Sequence, residues 1–205
     1  MTKVLLHSCC APCSAAIVEW MLENDYEPTI FFFNPNIFPE EEYLKRKNEI
    51  IQYAEREQIP IVDIDDNDTW DGRHQAWLWE ARPFANEPER GKRCSVCFDH
   101  RLCATAAYAA EHDFPLFTTT LASSRWKDFK QICTSGQFAE EHCGKGRTKF
   151  WDKNWRKGGL YERRNILSKQ FYNPQYCGCE YSLAQRKLQD ERKKISAEVS
   201  PQTEI

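Results

Sequence analysis

Three groups of cysteines carry the chemistry this chain can do. Cys9 and Cys10 are adjacent at the end of the run Leu5-Leu6-His7-Ser8, with Cys13 three residues on. Cys94 and Cys97 form a C-x-x-C within Gly91-Lys92-Arg93-Cys94-Ser95-Val96-Cys97, and Cys177 and Cys179 flank a single glycine near the end. Thiolates are nucleophiles, redox couples and soft metal ligands, so such clustering points to metal binding or redox catalysis. Cys103, Cys133 and Cys143 are scattered and read as small buried hydrophobes.

The spacing of three puts Cys94 and Cys97 on one side of a first helical turn, where the helix N-terminus and Arg93 favour thiolate. A four-thiolate site needs a second pair, and Cys9-Cys10, where a strand turns into a helix, can supply it. Structural zinc usually takes two C-x-x-C-like knuckles. An iron–sulfur cluster is larger and accepts a vicinal pair plus a distant C-x-x-C, which favours the cluster. A disulfide across Gly178 would close a small, strained and labile ring, as catalytic pairs do. As dithiolates, Cys177 and Cys179 would instead bind one metal ion, with Gly178 letting the two sulfurs converge. Cys10-Ala11-Pro12-Cys13 also has the form of a thioredoxin-like dithiol. That alternative leaves Cys9, Cys94, Cys97 and the C-x-C without a role. A zinc-stabilised RNA-binding module is the other alternative, and it does not explain the strained C-x-C.

The elements that must hold these groups alternate between strand and helix. Apolar runs predict strands at 4–7, 29–34, 61–64, 116–120 and 148–151, and helical spacing covers 15–22, 40–57, 70–80, 95–112, 127–141, 160–170 and 182–195. This order implies a parallel sheet with helices on both faces, one α/β domain over 1–195 followed by a polar tail over 196–205. Ligands in such sheets bind beyond the carboxyl ends of the strands, where Cys9 and Cys10 fall.

The 205 residues suit one domain, and the formal net charge of −3 gives no global attraction to polyanions. The N-terminal apolar run is too short for a signal peptide and no segment suits a bilayer, so a soluble cytoplasmic protein without membrane partners is expected. In that reducing setting ten cysteines argue for metal or redox chemistry over a disulfide framework. A local basic and aromatic run at 147–157 offers Lys153, Arg156 and Lys157 to phosphates and Trp151 or Trp155 to unstacked bases, and Tyr161 follows it. Ser123-Ser124-Arg125-Trp126-Lys127 is a second stretch placed to touch a substrate, with Arg125 its candidate contact. His7 reads as a strand-end histidine with satisfied hydrogen bonds, and as a weaker candidate for proton relay.

Four ordered blocks, His7-x-Cys9-Cys10-Ala11-Pro12, Phe33-Asn34-Pro35-Asn36-Ile37, Cys94-x-x-Cys97-Phe98-x-x-Arg101-Leu102 and Tyr176-Cys177-Gly178-Cys179, together resemble the QueH type of epoxyqueuosine reductase. The resemblance implies a Rossmann-like, adenine-nucleotide α-hydrolase-like fold and a cytoplasmic enzyme of queuosine biosynthesis, acting on tRNA that carries epoxyqueuosine in its anticodon loop. It implies a [4Fe–4S] cluster on Cys9, Cys10, Cys94 and Cys97, and a redox-active pair, Cys177 and Cys179. That pair, with an aspartate, also serves to hold a second, mononuclear metal ion, iron. Asp71 is the candidate aspartate, with Asp63, Asp65, Asp66, Asp68 and Asp152 as competitors. An electron donor is required, and the residues leave it unidentified. Cys13 is not needed by the pattern and reads as a bystander. Ser8-Cys9-Cys10-Ala11-Pro12 has no glycine where nucleotide-using relatives of the fold carry a phosphate loop, so ATP cradling is not expected.

Overall fold

Strand residues that pack on two faces must be apolar on both, and the runs Val4-Leu5-Leu6 and Ile30-Phe31-Phe32 are fully buried. The computed structural model, which describes residues 1–64 and 70–199, arranges five strands: β1 (Thr2–His7), β2 (Tyr26–Phe32), β3 (Ile61–Asp63), β4 (Leu116–Thr119) and β5 (Lys149–Phe150). All pair in parallel in the order β3-β2-β1-β4-β5, with His7 opposite Phe31 on one side and Thr119 on the other. Among the described residues the α-helices are α1 (Ala11–Glu23), α2 (Glu40–Arg56), α3 (Trp70–Ala81), α4 (Lys92–Glu111), α5 (Phe129–His142), α6 (Leu160–Leu167) and α7 (Glu180–Val199).

The period of two divides the core. Val4, Leu6, Ile30 and Phe32 pack with Ile17, Val18 and Met21 of α1 and Ile50 and Tyr53 of α2. Leu5, Phe31, Phe33 and Phe117 pack with Leu102, Ala106 and Ala109 of α4. Small side chains let helices lie close to the sheet. A Cβ at Gly136 of α5 would stand 2.3 Å from the Phe150 ring, so that approach needs glycine.

The predicted elements are present, with shifted ends. Helix α1 begins at Ala11, earlier than expected, because Pro12 suits a first helical turn. Helix α4 begins at Lys92, so Cys94 and Cys97 occupy its first two turns. The 160–170 run breaks into α6 and a 3-10 turn, Ser168–Gln170. Helix α7 continues to Val199, past the expected boundary at 195, since no glycine or proline interrupts its sequence before Pro201. One expectation is overturned: Cys103 and Cys143 are not isolated hydrophobes but a disulfide pair, their Cα atoms 5.3 Å apart, joining α4 to the residue after α5. Sequence separation of 40 hid that pairing, which exists because α4 and α5 pack side by side.

Candidate active site

Strand order reverses between β1 and β4, and the carboxyl ends of these two strands open the crevice where this architecture binds ligands. Cys9 and Cys10 follow β1 directly, and Thr120 follows β4. The Cys9 N–H donates to Thr120 Oγ1 at 3.2 Å, which fixes the vicinal pair at the crevice floor. Cys9, Cys10, Cys13, Cys94 and Cys177 line one cavity of about 480 Å³, with Arg46, Arg101, Lys127 and Arg164 among its walls.

Three helices start at the sulfurs. Cys10 is the N-cap of α1, Cys94 and Cys97 lie in the opening turns of α4, and α7 begins directly after Cys179. The partial positive charge of a helix N-terminus favours anionic sulfur, and here it acts from three directions. Individual donors add to it. Cys9 accepts from Thr120 Oγ1 (3.5 Å), Cys94 from the Arg90 N–H (3.3 Å), Cys97 from Arg101 (3.8 Å) and Cys179 from the Ser182 N–H (3.4 Å). Cys13 accepts from Arg164 (3.4 Å) and Cys177 from the Lys127 ammonium (2.7 Å). A pocket whose sulfurs meet N–H and O–H donors is built for thiolate or for metal-bound sulfur.

Burial opposes this. It raises Cys94 to about 11, helped by the charge of Cys177, and it raises Cys97 against the pull of Arg101. Burial also raises Cys179, with Cys177 adding to it. Within the first group, Cys13 is held well below the ordinary thiol range by hydrogen bonds from Cys10 and Cys9 and by the Arg164 guanidinium. Cys10 is raised in return. Burial alone would lower Lys127, but the charge and hydrogen bond of Cys177 raise it, so it remains an ammonium. Thiols that resist deprotonation in so polarised a pocket give up their protons when a cation replaces them, which is the linkage expected of a metal site. The Cys9 and Cys10 sulfurs stand 3.7 Å apart, and those of Cys9, Cys10 and Cys13 all lie within 4.8 Å of one another, a separation at which three thiolates can share a metal ion. Soft donors in this number fit iron–sulfur or thiolate-bound metal better than a hard cation.

The Cys177-Gly178-Cys179 turn is clamped from one side by α2. Buried Arg46 donates to the carbonyls of Tyr176 and Cys177 at 3.3 Å each, and Glu42 holds Arg46 at 2.6 Å. Gly178 has φ +130, and a Cβ there would stand 3.2 Å from both Arg46 and Ile37. Glycine is therefore required by conformation and by space. The Gly178 carbonyl accepts from the Phe38 N–H at 2.8 Å, and Tyr176 donates its hydroxyl to the Phe38 carbonyl.

His7 is a core histidine. Its Nδ1 meets Thr119 Oγ1 at 2.8 Å, and its Nε2 accepts from Arg101 at 3.3 Å. Burial, then the neighbouring Arg101, pushes it down to about 3, so it is neutral and is no proton donor. Arg101 also donates to Asn34 at 2.6 Å, while Asn34 donates to the Ser8 carbonyl at 2.8 Å. This buried network ties the loop of Cys9-Cys10 to the helix of Cys97.

Several expected residues are elsewhere. Trp155 is 1% exposed, donates to Thr118 Oγ1 at 3.2 Å and packs edge-on against Trp20 and Trp151, so it cannot stack on a base. Lys153 rests its ammonium 3.7 Å over Trp20, and Arg156 donates to the Ala122 carbonyl. Lys157 and Arg125 are exposed. Asp71 is not brought to the thiols: it is exposed on the first turn of α3 and accepts from Gln75. Asp63 pairs with Lys47 at 2.6 Å, Asp152 borders a shallow cavity beside α5 and β5, and Asp65, Asp66 and Asp68 lie outside the described residues. Glu89 is the carboxylate among the described residues of the thiol cavity. Sequence reasoning missed Arg46, Arg164 and the inclusion of Cys13. For Arg101 a signal existed, its place four residues after Cys97. For Arg46, one charge in a charged helix, none did.

The family model for epoxyqueuosine reductase QueH matches residues 4–185. Proteins named epoxyqueuosine reductase QueH are 47% identical in Histophilus somni (strain 129Pt), over 88% of this chain and 72% of that one, and 47% identical in Haemophilus influenzae, over 88% and 71%. The Thermotoga maritima protein of that name is 34% identical over 91% and 93%. Among solved structures, a predicted subunit of tRNA methyltransferase from Methanocaldococcus jannaschii superposes with a TM-score of 0.51 at 12% identity, over 94% of this chain and 89% of that one. That likeness shows the fold, a parallel sheet flanked by helices. With its motifs, its crevice and these relatives, the chain belongs to the QueH family of epoxyqueuosine reductases.

Proposed function

We propose that this chain reduces epoxyqueuosine to queuosine in tRNA, the final step of queuosine biosynthesis, with Cys177 and Cys179 as its redox-active pair. The relatives' names give the reaction. The observation that carries the residue assignment is the Lys127 ammonium, 2.7 Å from Cys177 inside the cavity that Cys9, Cys10 and Cys94 also line.

The chemistry balances. Converting the epoxide to an alkene breaks both carbon–oxygen bonds of the small ring and consumes two electrons and two protons, releasing water. Oxidation of the Cys177–Cys179 dithiol to a disulfide releases two electrons and two protons, and a cellular donor then restores the dithiol. Cys9, Cys10, Cys94 and Cys97 would hold a [4Fe–4S] cluster, which would supply one-electron transfer. Where Cys177 and Cys179 instead hold an iron ion as thiolates, that ion would supply Lewis-acid polarisation of the epoxide oxygen, and the two electrons and two protons would come from the cellular donor and solvent, not from the pair. Lys127 balances the negative charge that grows on Cys177. Arg46 holds the carbonyls of Tyr176 and Cys177 and thereby fixes the turn that brings Cys177 to the cavity. The neutral His7, bonded on both nitrogens, takes no part in proton transfer.

Anaerobic turnover of epoxyqueuosine-containing tRNA with a chemical reductant tests the function, with queuosine as the expected product and its absence refuting the reading. Cys177→Ser and Cys179→Ser should each abolish turnover and keep the broad absorbance near ~400 nm of the cluster. Loss of that absorbance would move those cysteines into the cluster. A thioredoxin-like role for Cys10 and Cys13 keeps one observation, the closeness of their sulfurs, and Cys13→Ser tests it: retained turnover excludes that pair.

A further inference from the structure

One feature at the rim of the thiol cavity takes no part in holding sulfur. Trp126 is 67% exposed, yet the turn that carries it is braced. Its N–H donates to Ser124 Oγ at 3.3 Å, and its carbonyl accepts from Arg90 Nε at 2.8 Å. Arg90 also reaches the Arg125 carbonyl at 3.5 Å, and the next residue, Lys127, is anchored on Cys177. The indole is thus displayed on a fixed backbone, neither packed into the core nor left on a loose loop.

Its surroundings suit a flat, anionic ligand. The Arg125 guanidinium lies 4.7 Å from the indole centroid and 6.0 Å from the Tyr161 ring, extending the aromatic surface with a cation. Trp126 lines the same cavity as Cys9, Cys94 and Cys177, and Arg90, Arg164 and Arg186 stand around it. The indole and Cys177 line one cavity, with Lys127 directly after Trp126 bonded to that sulfur.

We propose that Trp126 is the stacking platform for the unstacked nucleobase that bears the ring being reduced, with Arg90 and Arg125 meeting its flanking phosphates. The proposal rests on the reading of the chain as a reductase of a modified base in tRNA. Stacking of a base on an aromatic side chain is sequence-tolerant and strong enough to hold one nucleotide out of its loop. Cations beside the ring add attraction for the backbone that weakens with salt. A platform at the rim positions the base while leaving its reactive appendage to enter the cavity.

Wild type, Trp126→Phe and Trp126→Ala are compared under anaerobic conditions as the metal-loaded enzymes. Metal content and absorbance should be the same in all three. Trp126→Ala should raise KM for epoxyqueuosine-containing tRNA on the order of 10- to 100-fold with kcat within about 3-fold, and Trp126→Phe should recover most of the loss. Binding of an anticodon stem–loop should weaken by a similar factor in the alanine variant. Unchanged KM and unchanged stem–loop affinity in Trp126→Ala, or equal losses in the alanine and phenylalanine variants, would overturn the platform. Slower turnover with a protein reductant alone, at unchanged RNA affinity, would make the indole a docking site for the donor and overturn it as well. A wild type that binds the stem–loop without reducing it refutes the reaction, and the binding ratio of the variants still decides the platform.

Discussion

Two stretches of this chain have nearly the same composition and opposite uses. Residues 147–157 interleave Trp151 and Trp155 with five cations, and 125–127 set Trp126 between Arg125 and Lys127. In the first, the aromatic rings turn inward. Trp155 is 1% exposed, Trp151 lies 4.6 Å from Tyr26 between ring centroids, and the Lys153 ammonium covers Trp20. In the second, Trp126 turns outward while Lys127 reaches inward to Cys177. Position in the sheet accounts for the difference. The first stretch contains β5, an edge strand of the described sheet, and the indoles that follow that strand cover the flank of the sheet beside α1. The second follows β4 at the reversal of strand order, where the crevice must stay open. An indole beside a lysine carries no information about direction until the strand before it is placed.

The largest expected effect on this contrast comes from the buried indole. Trp155→Ala should destabilise the protein by about 3–5 kcal/mol in urea unfolding, through lost burial and the cavity left among Trp20 and Trp151. A cost under about 1 kcal/mol would mean that the indole is not core and that the contrast fails. A second effect concerns the inward-facing polar floor. His7, pushed down to about 3, stays neutral in the folded protein, whereas in the unfolded chain it gains a proton below about 6.5. The unfolded state then binds more protons, so stability is full above pH 6.5 and falls as pH drops towards 3. Between pH 6.5 and 5 the loss should be about 2 kcal/mol, and a His7→Gln variant should lack that slope. An imidazole resonance of His7 that titrates near pH 6 would break the assignment. The smallest effects sharpen the comparison. Lys153→Met should cost about 0.5–1 kcal/mol of stability through the lost cation–π contact, with RNA affinity unchanged. Trp126→Ala should alter stability by less than about 0.5 kcal/mol, because an exposed side chain leaves no cavity.

Cysteine pairing shows a similar limit. Cys103 lies in an alanine-rich helix, which favours reading it as packing, and its partner Cys143 is 40 residues away. Helix packing made the pair, and nothing in the local pattern of either residue announces it. Cys13 had the opposite fate. It looked dispensable beside Cys9-Cys10, but the first turn of α1 carries its sulfur back to theirs, where Arg164, 151 residues away, meets it.

By itself the sequence determined the alternation of strand and helix, the parallel sheet and the three thiol groups at loop-to-helix junctions. Those features follow from apolar runs and short spacings, which act over a few residues. Tertiary structure alone decided which donors face each sulfur and which aromatic ring faces water. Thr120 reaches Cys9 across 111 residues, Lys127 reaches Cys177 across 50, and Arg46 reaches the Cys177 carbonyl across 131. The Thr120 contact is fixed by the order of strands, which sets the end of β4 beside the end of β1, and the Lys127 and Arg46 contacts by the packing of the C-x-C turn against the segment after β4 and against α2.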